Sequence, residues 1–178
     1  MRGHRVVTPG DDLERDRLVG DLLQAARQAV ARFDQQFATV SALRKKAVRV
    51  LRRHTAADNI KFDALSRVSH VTDATDWRVE YPFLVLCPDT EAEMPGLVQA
   101  CVELGLTIIP RGGGTGYTGG AVPLTRRSAV INTEKLDRLG TVRQASLPGV
   151  AQAVPVIDCG AGVVTRRVME AAEAAGLV

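Results

Sequence analysis

Residues 110–120 read Pro-Arg-Gly-Gly-Gly-Thr-Gly-Tyr-Thr-Gly-Gly and follow directly on an apolar run at residues 106–109. Six glycines in eleven positions, Gly112, Gly113, Gly114, Gly116, Gly119 and Gly120, give a backbone that can turn with positive φ and lie bare against a ligand. Successive unshielded N–H groups in such a turn form a concave nest suited to an anion, and Arg111 and Thr115 add a fixed charge and a hydroxyl. A phosphate group is the expected occupant.

The flanks decide among three glycine-rich designs. A nucleoside-triphosphatase loop needs Gly-Lys-Ser/Thr leading into a helix so that the lysine reaches the outer phosphates. No lysine lies between Lys61 and Lys135. A dinucleotide fold needs G-x-G-x-x-G opening a helix, and Gly114, Gly116 and Gly119 match that spacing, with Glu134 about where the ribose acid would stand. Gly120 and Pro123 deny the helical turns on which that motif's pyrophosphate rests, so the spacing follows from glycine density alone. The third design holds a pyrophosphate on backbone N–H groups with no helix behind it. Its string, R-G-G-G-T-G-x-T-G-G-A-V-P, occupies residues 111–123.

Periodicity alone makes the preceding segment a βαβ unit. Residues 83–87 and 106–109 are short apolar runs of the kind expected for strands buried on both faces. Between them Thr90 and Glu93 make a capping-box pair, Leu97, Val98, Cys101, Val102 and Leu104 supply an apolar stripe, and Gly105 stands at the helix end. Pro95 sits early in that helix and argues for a start later than Thr90. A right-handed crossover makes the two strands parallel and puts the glycine loop at a carboxyl strand end, where α/β sheets bind ligands. Farther on, residues 129–132 and 154–159 read as strands, 134–139 as a turn or short helix, and 163–175 as a helix closed by Gly176. Leu177 and Val178 look like the entrance to a further strand.

Through the glycine string and through residues 82–93, Pro-Phe-Leu-Val-Leu-Cys-Pro-Asp-Thr-Glu-Ala-Glu, the chain resembles FAD-binding oxidoreductases of the vanillyl-alcohol oxidase type, the PCMH-type flavin domain. Within that group it is most similar to 2-hydroxy-acid dehydrogenases related to the glycolate oxidase flavin subunit and D-lactate dehydrogenase. The resemblance runs from about Val71 onward. It implies an α+β fold: a PCMH-type FAD-binding domain over residues 71–178, with the first βαβ lobe complete and the second truncated, preceded by a helical region over residues 1–70.

The resemblance also implies residue roles. Gly112, Gly113, Gly114, Thr115 and Gly116 offer N–H donors to the FAD pyrophosphate, Arg111 adds charge or braces the loop, and Gly119 and Gly120 turn the chain close to the cofactor. Pro88 matches a position near the adenine side. Relatives that tether FAD covalently often carry histidine where Thr115 stands, so no covalent bond is expected from this loop and the flavin should be dissociable. The implied reaction of the intact protein is oxidation of a 2-hydroxy acid such as D-lactate or glycolate, with a quinone or protein as electron acceptor. The chain is expected to be an N-terminal fragment, inactive by itself, with the catalytic residues and any iron–sulfur motifs beyond Val178.

The 46% hydrophobic and 24% charged content of the 178 residues is ordinary for a soluble globular chain. A net charge of +3 is too slight to argue for nucleic acid. The first ten residues have no apolar core and no secretory signal, and no run reaches a membrane span, so a cytoplasmic protein is expected, peripheral to the inner membrane when intact. Cys87, Cys101 and Cys159 form no C-x-x-C and lie in apolar segments, which predicts reduced, packed thiols. His4, His54 and His70 have no metal-ligand spacing, and surface or hydrogen-bonded structural roles are expected for them. Asp73-Ala74-Thr75-Asp76 reads as loop and capping chemistry, and Trp77 and Tyr81 as cover for the sheet edge.

Charge is unevenly placed. Residues 1–60 hold 12 basic and 7 acidic side chains against 11 and 13 in the remainder, and no glycine or proline occurs over residues 21–57. Asp11 and Asp12 can cap a helix whose apolar positions Leu18, Leu22, Ala25, Ala29, Phe33, Phe37 and Val40 recur at three- and four-residue steps. Leu43, Ala47, Val50 and Leu51 repeat the pattern. One long helix and a hairpin broken near Thr39 both satisfy it, and either must pack against something. Arg44, Lys45, Lys46, Arg49, Arg52 and Arg53 include no acid, but aromatic residues for base stacking are missing. A solvated face or a dock for an acidic protein surface fits better than nucleic acid. The alternative to flavin chemistry is a non-catalytic module that recruits a partner through this basic helical region.

Overall fold

The computed structural model describes residues 9–75 and 77–177. Asp76, the first eight residues with His4, and Val178 lie outside the described residues. Contacts divide the chain into two compact units, Met1–Lys46 and Ala47–Val178. Residues 47–70, placed with the helical region on sequence, thus pack with the second unit.

In the first unit the amphipathic pattern forms one continuous helix, α1 (Pro9–Leu51), with no break near Thr39. Asp12 falls inside its first turn, where an acidic residue suits the positive end of the helix dipole. The last turn of α1 belongs to the second unit, in which Ala47 and Leu51 are fully buried.

The second unit is built on a four-stranded sheet. Its elements in chain order are β1 (Ile60–Lys61), α2 (Ala64–Val68), β2 (Leu84–Leu86), α3 (Met94–Glu103), β3 (Thr107–Arg111) and β4 (Ser128–Asn132). The spatial order is β1-β2-β4-β3, with β1 antiparallel and the other three parallel. The expected βαβ unit forms and its strands are parallel, yet β4 lies between them. All five residues of β4 are buried, as suits a strand with neighbours on both edges and layers on both faces. Val85, Cys87, Ile109 and Val130 make a hydrophobic cluster across the three strands.

The capping box at Thr90 and Glu93 is present, with the Glu93 carboxylate accepting from the Thr90 N–H at 3.1 Å. Glu91–Glu93 forms a single 3₁₀ turn, and α3 proper begins at Met94 with Pro95 in its first turn, where a missing N–H costs no hydrogen bond. Leu97, Ala100, Cys101 and Leu104 are the buried face. Gly105, at φ +64°, ends the helix in the left-handed conformation.

After β4 the chain makes a second, two-stranded antiparallel sheet from β5 (Arg143–Ala145) and β6 (Val154–Val156), then α4 (Thr165–Ala174). Neither β1 nor β5 is legible in the sequence, since Ile-Lys and Arg-Gln-Ala carry no apolar alternation. Strand β6 ends three residues before Cys159, which makes an isolated bridge with Leu139 and is exposed. Only Cys87 and Cys101 are the packed thiols expected of all three. Burial pushes the Cys87 thiol up and that of Cys101 to about 11.

Candidate cofactor site

Strands β2, β4 and β3 run in parallel, so their carboxyl ends share one edge of the sheet. The glycine-rich segment leaves β3 at that edge and contains only turns, bends and extended residues through Leu124. No helix follows it, as Gly120 and Pro123 require.

The glycines divide into two kinds. Gly114 and Gly119 have φ of +67° and +72°. A side chain at Gly114 would also overlap the Arg111 guanidinium, and one at Gly119 would crowd the Trp77 ring at 3.1 Å. These two are needed by the fold of the loop itself. Gly112, Gly113 and Gly116 have no positive φ. A Cβ at Gly112 would make ordinary contact with the Ala161 carbonyl at 3.7 Å, one at Gly113 would meet only Thr115 at 3.8 Å, and one at Gly116 would meet nothing within 4 Å. Neither conformation nor internal packing demands glycine at these three positions. At Gly112 and Gly113 a side chain would enter the open space in front of the loop.

That space is a cleft of about 670 Å³. Arg111, Gly112, Gly113 and Thr115 form one wall, Asn132 and Glu134 at the end of β4 the floor, and Ala161 to Thr165 with Ser69 and His70 the remainder. The cleft thus gathers Arg111, Gly112, Gly113 and Thr115 of the residues expected at the cofactor. Gly114, Gly116, Gly119 and Gly120 belong to the same loop but do not line it. Pro88, at the end of β2, is fully buried and is not brought to this cleft.

The Arg111 guanidinium lies under Gly114, and its Nη1 donates to the Thr72 carbonyl at 2.6 Å. This bond ties the base of the loop to the Thr72 turn. Thr72 is followed by Asp73, a buried carboxylate whose Oδ1 accepts from the Thr75 N–H at 2.9 Å and from the Thr75 hydroxyl. These bonds hold its pKa below the usual carboxylate range. Arg111 is thereby tied to a turn closed by the Asp73 and Thr75 hydrogen bonds.

The far wall is fixed by close backbone contact. Thr133 donates its N–H to the Arg111 carbonyl at 2.9 Å and its hydroxyl to the Ala161 carbonyl at 3.0 Å. The Gly162 N–H donates to the Leu136 carbonyl at 2.9 Å, and a Cβ at Gly162 would overlap the Thr133 carbonyl. Gly160 stands in the same relation to Leu136. These contacts bring the first turn of α4 to the cleft, where Val164 precedes it and provides no side-chain cap. Of its first amides, that of Arg167 donates to the Val164 carbonyl at 2.9 Å. The glycines at 160 and 162 were legible as strand breakers, but their delivery of a helix start to the site was not.

His70 is a second wall residue that sequence placed only as structural. Its Nδ1 lies 2.7 Å from the Ser66 carbonyl, and its Nε2 lies 3.0 Å from the Asn132 amide nitrogen. The Asn132 Oδ1 accepts from the Glu134 N–H at 2.9 Å, which fixes the amide orientation. His70 is therefore the neutral tautomer with Nδ1–H donating and Nε2 accepting. Burial lowers its pKa from 6.5, with the Arg111 charge acting in the same direction.

Beside the end of β2, buried Asn59 donates to Asp89 at 2.7 Å and to the Thr55 hydroxyl at 2.9 Å. Lys135 donates to the Asn59 Oδ1 at 2.6 Å and to Asp89 at 2.7 Å. This closed network ties β2 to the turn after β4 and holds Pro88 in place. Among the described residues no helix is long and apolar enough to cross a membrane.

Comparison with known proteins bears on this geometry directly. Residues 82–178 match a family model described as FAD binding domain. A D-lactate dehydrogenase of Archaeoglobus fulgidus is 35% identical over 95 residues, which is 53% of this chain and 19% of that protein. A substrate-bound structure of p-cresol methylhydroxylase superposes with a TM-score of 0.56 at 19% identity, covering 76% of this chain and 25% of that one. The 4-ethylphenol oxidase of Gulosibacter chungangensis gives 0.55 at 15% identity with the same coverage. The two structures share the fold, and the chain spans about a fifth to a quarter of the length of these relatives.

Proposed function

Because the chain belongs to the family of FAD-binding domains, of the vanillyl-alcohol oxidase or PCMH type, we propose that its glycine loop holds the FAD pyrophosphate in an oxidoreductase acting on a 2-hydroxy acid. The observation that carries this reading is the pair Gly112 and Gly113, which line the cleft and whose missing side chains neither backbone angles nor internal neighbours explain. A diphosphate lying on bare amides explains both at once.

In this reading Gly112, Gly113, Thr115 and Gly116 present N–H groups to the diphosphate, each bond worth about 1.5–3 kcal/mol when charge-assisted. Gly114 and Gly119 shape the turn, Gly120 lets the chain pass close to the cofactor, Arg111 braces the loop from below and adds positive charge, and Pro88 closes β2 on the adenine side. Residues 71–178 then form most of the cofactor-holding part, with residues 47–70, including Ser69 and His70 at the cleft, packed onto it. When bound, FAD supplies hydride acceptance from the α-carbon of the acid, with electrons leaving to a quinone or protein acceptor. The D-lactate dehydrogenase relative supports the substrate class, and Thr115 in place of a histidine supports a dissociable flavin. A cytoplasmic protein, seated against the inner membrane where the acceptor is a quinone, fits this chemistry.

The test is Gly113→Asp. The carboxylate would stand in open space, so the apoprotein should unfold at the wild-type temperature while flavin absorbance is lost from the purified protein. Stoichiometric flavin in the variant would refute the site. In the intact protein, with the sequence that follows Val178 present, anaerobic D-lactate or glycolate should bleach the flavin, and a flavin left oxidised by both would refute the substrate class while leaving the cofactor site standing.

A further inference from the structure

The first unit consists of α1 alone over its described residues, and a single helix has no second element on which to bury an apolar face. That face is substantial. Val19, Leu22, Ala26, Ala29, Phe33, Gln36, Val40 and Leu43 recur at alternating steps of three and four, the spacing of a coiled-coil seam. Leu23, Val30 and Phe37 widen it on one side. Leu22 is 70% exposed, Phe33 65% and Phe37 68%.

Charge along α1 is polarised. Asp12, Glu14, Asp16 and Asp21 lie at its start, opposed only by Arg15 and Arg17, while Arg44, Lys45, Lys46 and Arg49 close it with no acid among them. A second copy in parallel would set base against base and acid against acid. In antiparallel orientation, each acidic start meets a basic end.

We propose that α1 pairs with α1 of a second copy of this chain as an antiparallel coiled coil centred on Ala31. The seam supports that register independently of the charges. Turned about Ala31, Val19 faces Leu43, Leu22 faces Val40, Ala26 faces Gln36 and Ala29 faces Phe33. Each layer then joins the two seam positions of an antiparallel pair, and the bulky Phe33 meets a small partner where a parallel pair would put phenylalanine on phenylalanine. The same register brings Asp16 beside the Arg44 to Lys46 run. The basic cluster is thus one half of a self-complementary surface.

Sedimentation of the full chain at low salt should show a dimer that weakens as salt is raised. Phe33→Glu with Phe37→Glu should weaken it more than about a hundredfold, since two desolvated rings per copy are lost. Reversing Arg44, Lys45 and Lys46 to Glu should weaken it by about tenfold or more, as should reversing Asp12, Glu14 and Asp16 to Lys. Both reversals in one chain should restore the dimer, because acidic and basic ends exchange places in an antiparallel pair. The proposal is overturned by a wild-type monomer at all concentrations, as when a further segment of a longer protein covers the stripe. It is equally overturned by a dimer indifferent to the phenylalanine substitutions, or by a doubly reversed chain as weak as the singly reversed ones.

Discussion

His70 is held neutral by burial and by the Arg111 charge, against the pull of the Ser66 carbonyl, with the Asn132 amide donating to Nε2, and this makes it the residue through which acid should reach the cleft first. Its folded pKa is below 6.5, so between those two values the unfolded chain binds more protons than the folded one. Its contribution to stability is present above about pH 6.5 and is lost as pH falls toward the folded value. Denaturant midpoints of wild type minus those of His70→Gln should therefore fall between pH 7 and pH 5. A difference that stays flat over that range would remove the assignment of a neutral tautomer. Carboxylates held low, such as Asp73 and Asp89, release their share only at more acid pH, which separates the two effects. Nothing in the sequence marked His70 as a cleft residue, because its partners Ser66 and Asn132 come from different elements.

At the level of elements, the sequence announced those that are locally encoded. The helix α3 follows from its capping box, stripe and closing glycine, and β2, β3 and β4 from apolar runs. The loop's lack of a helix follows from Gly120 and Pro123. Elements defined by what they pair with were silent, since β1 has two residues and β5 is polar; β6 was legible but ends earlier than its apolar run, where Asp158 and Cys159 turn to the segment around Leu139. The loop face of the site was legible for the same reason as α3, and the opposite face was not, since it depends on Gly160 and Gly162 packing under residues 133–138. Gly162→Ala tests that face. Its methyl group has backbone on the other side, which cannot swing away, so the substitution should cost about 1–3 kcal/mol of stability and displace the start of α4. Calorimetry of the apoprotein reads the first effect. A melting temperature equal to wild type would show that the hairpin and α4 do not rest on this contact.

For the whole molecule, the arrangement β1-β2-β4-β3 has a consequence in time. A sequence reading that pairs β2 with β3 through α3 gives a unit complete by Arg111. In the folded protein those two strands never touch, and each finds its parallel partner only in β4. A nascent chain that has emerged as far as Arg127 therefore holds two short apolar strands with unfilled edges, a species prone to wrong pairings. Chains arrested at Arg127 should be cut freely by protease between β2 and β3, and chains arrested past Leu139 should resist. Equal resistance of the two would mean that the first βαβ closes by itself. Because the glycine loop is spoken by the ribosome just before the strand that locks the sheet, it leaves the tunnel ahead of its own scaffold, and one strand of five residues decides when the loop can first take its shape.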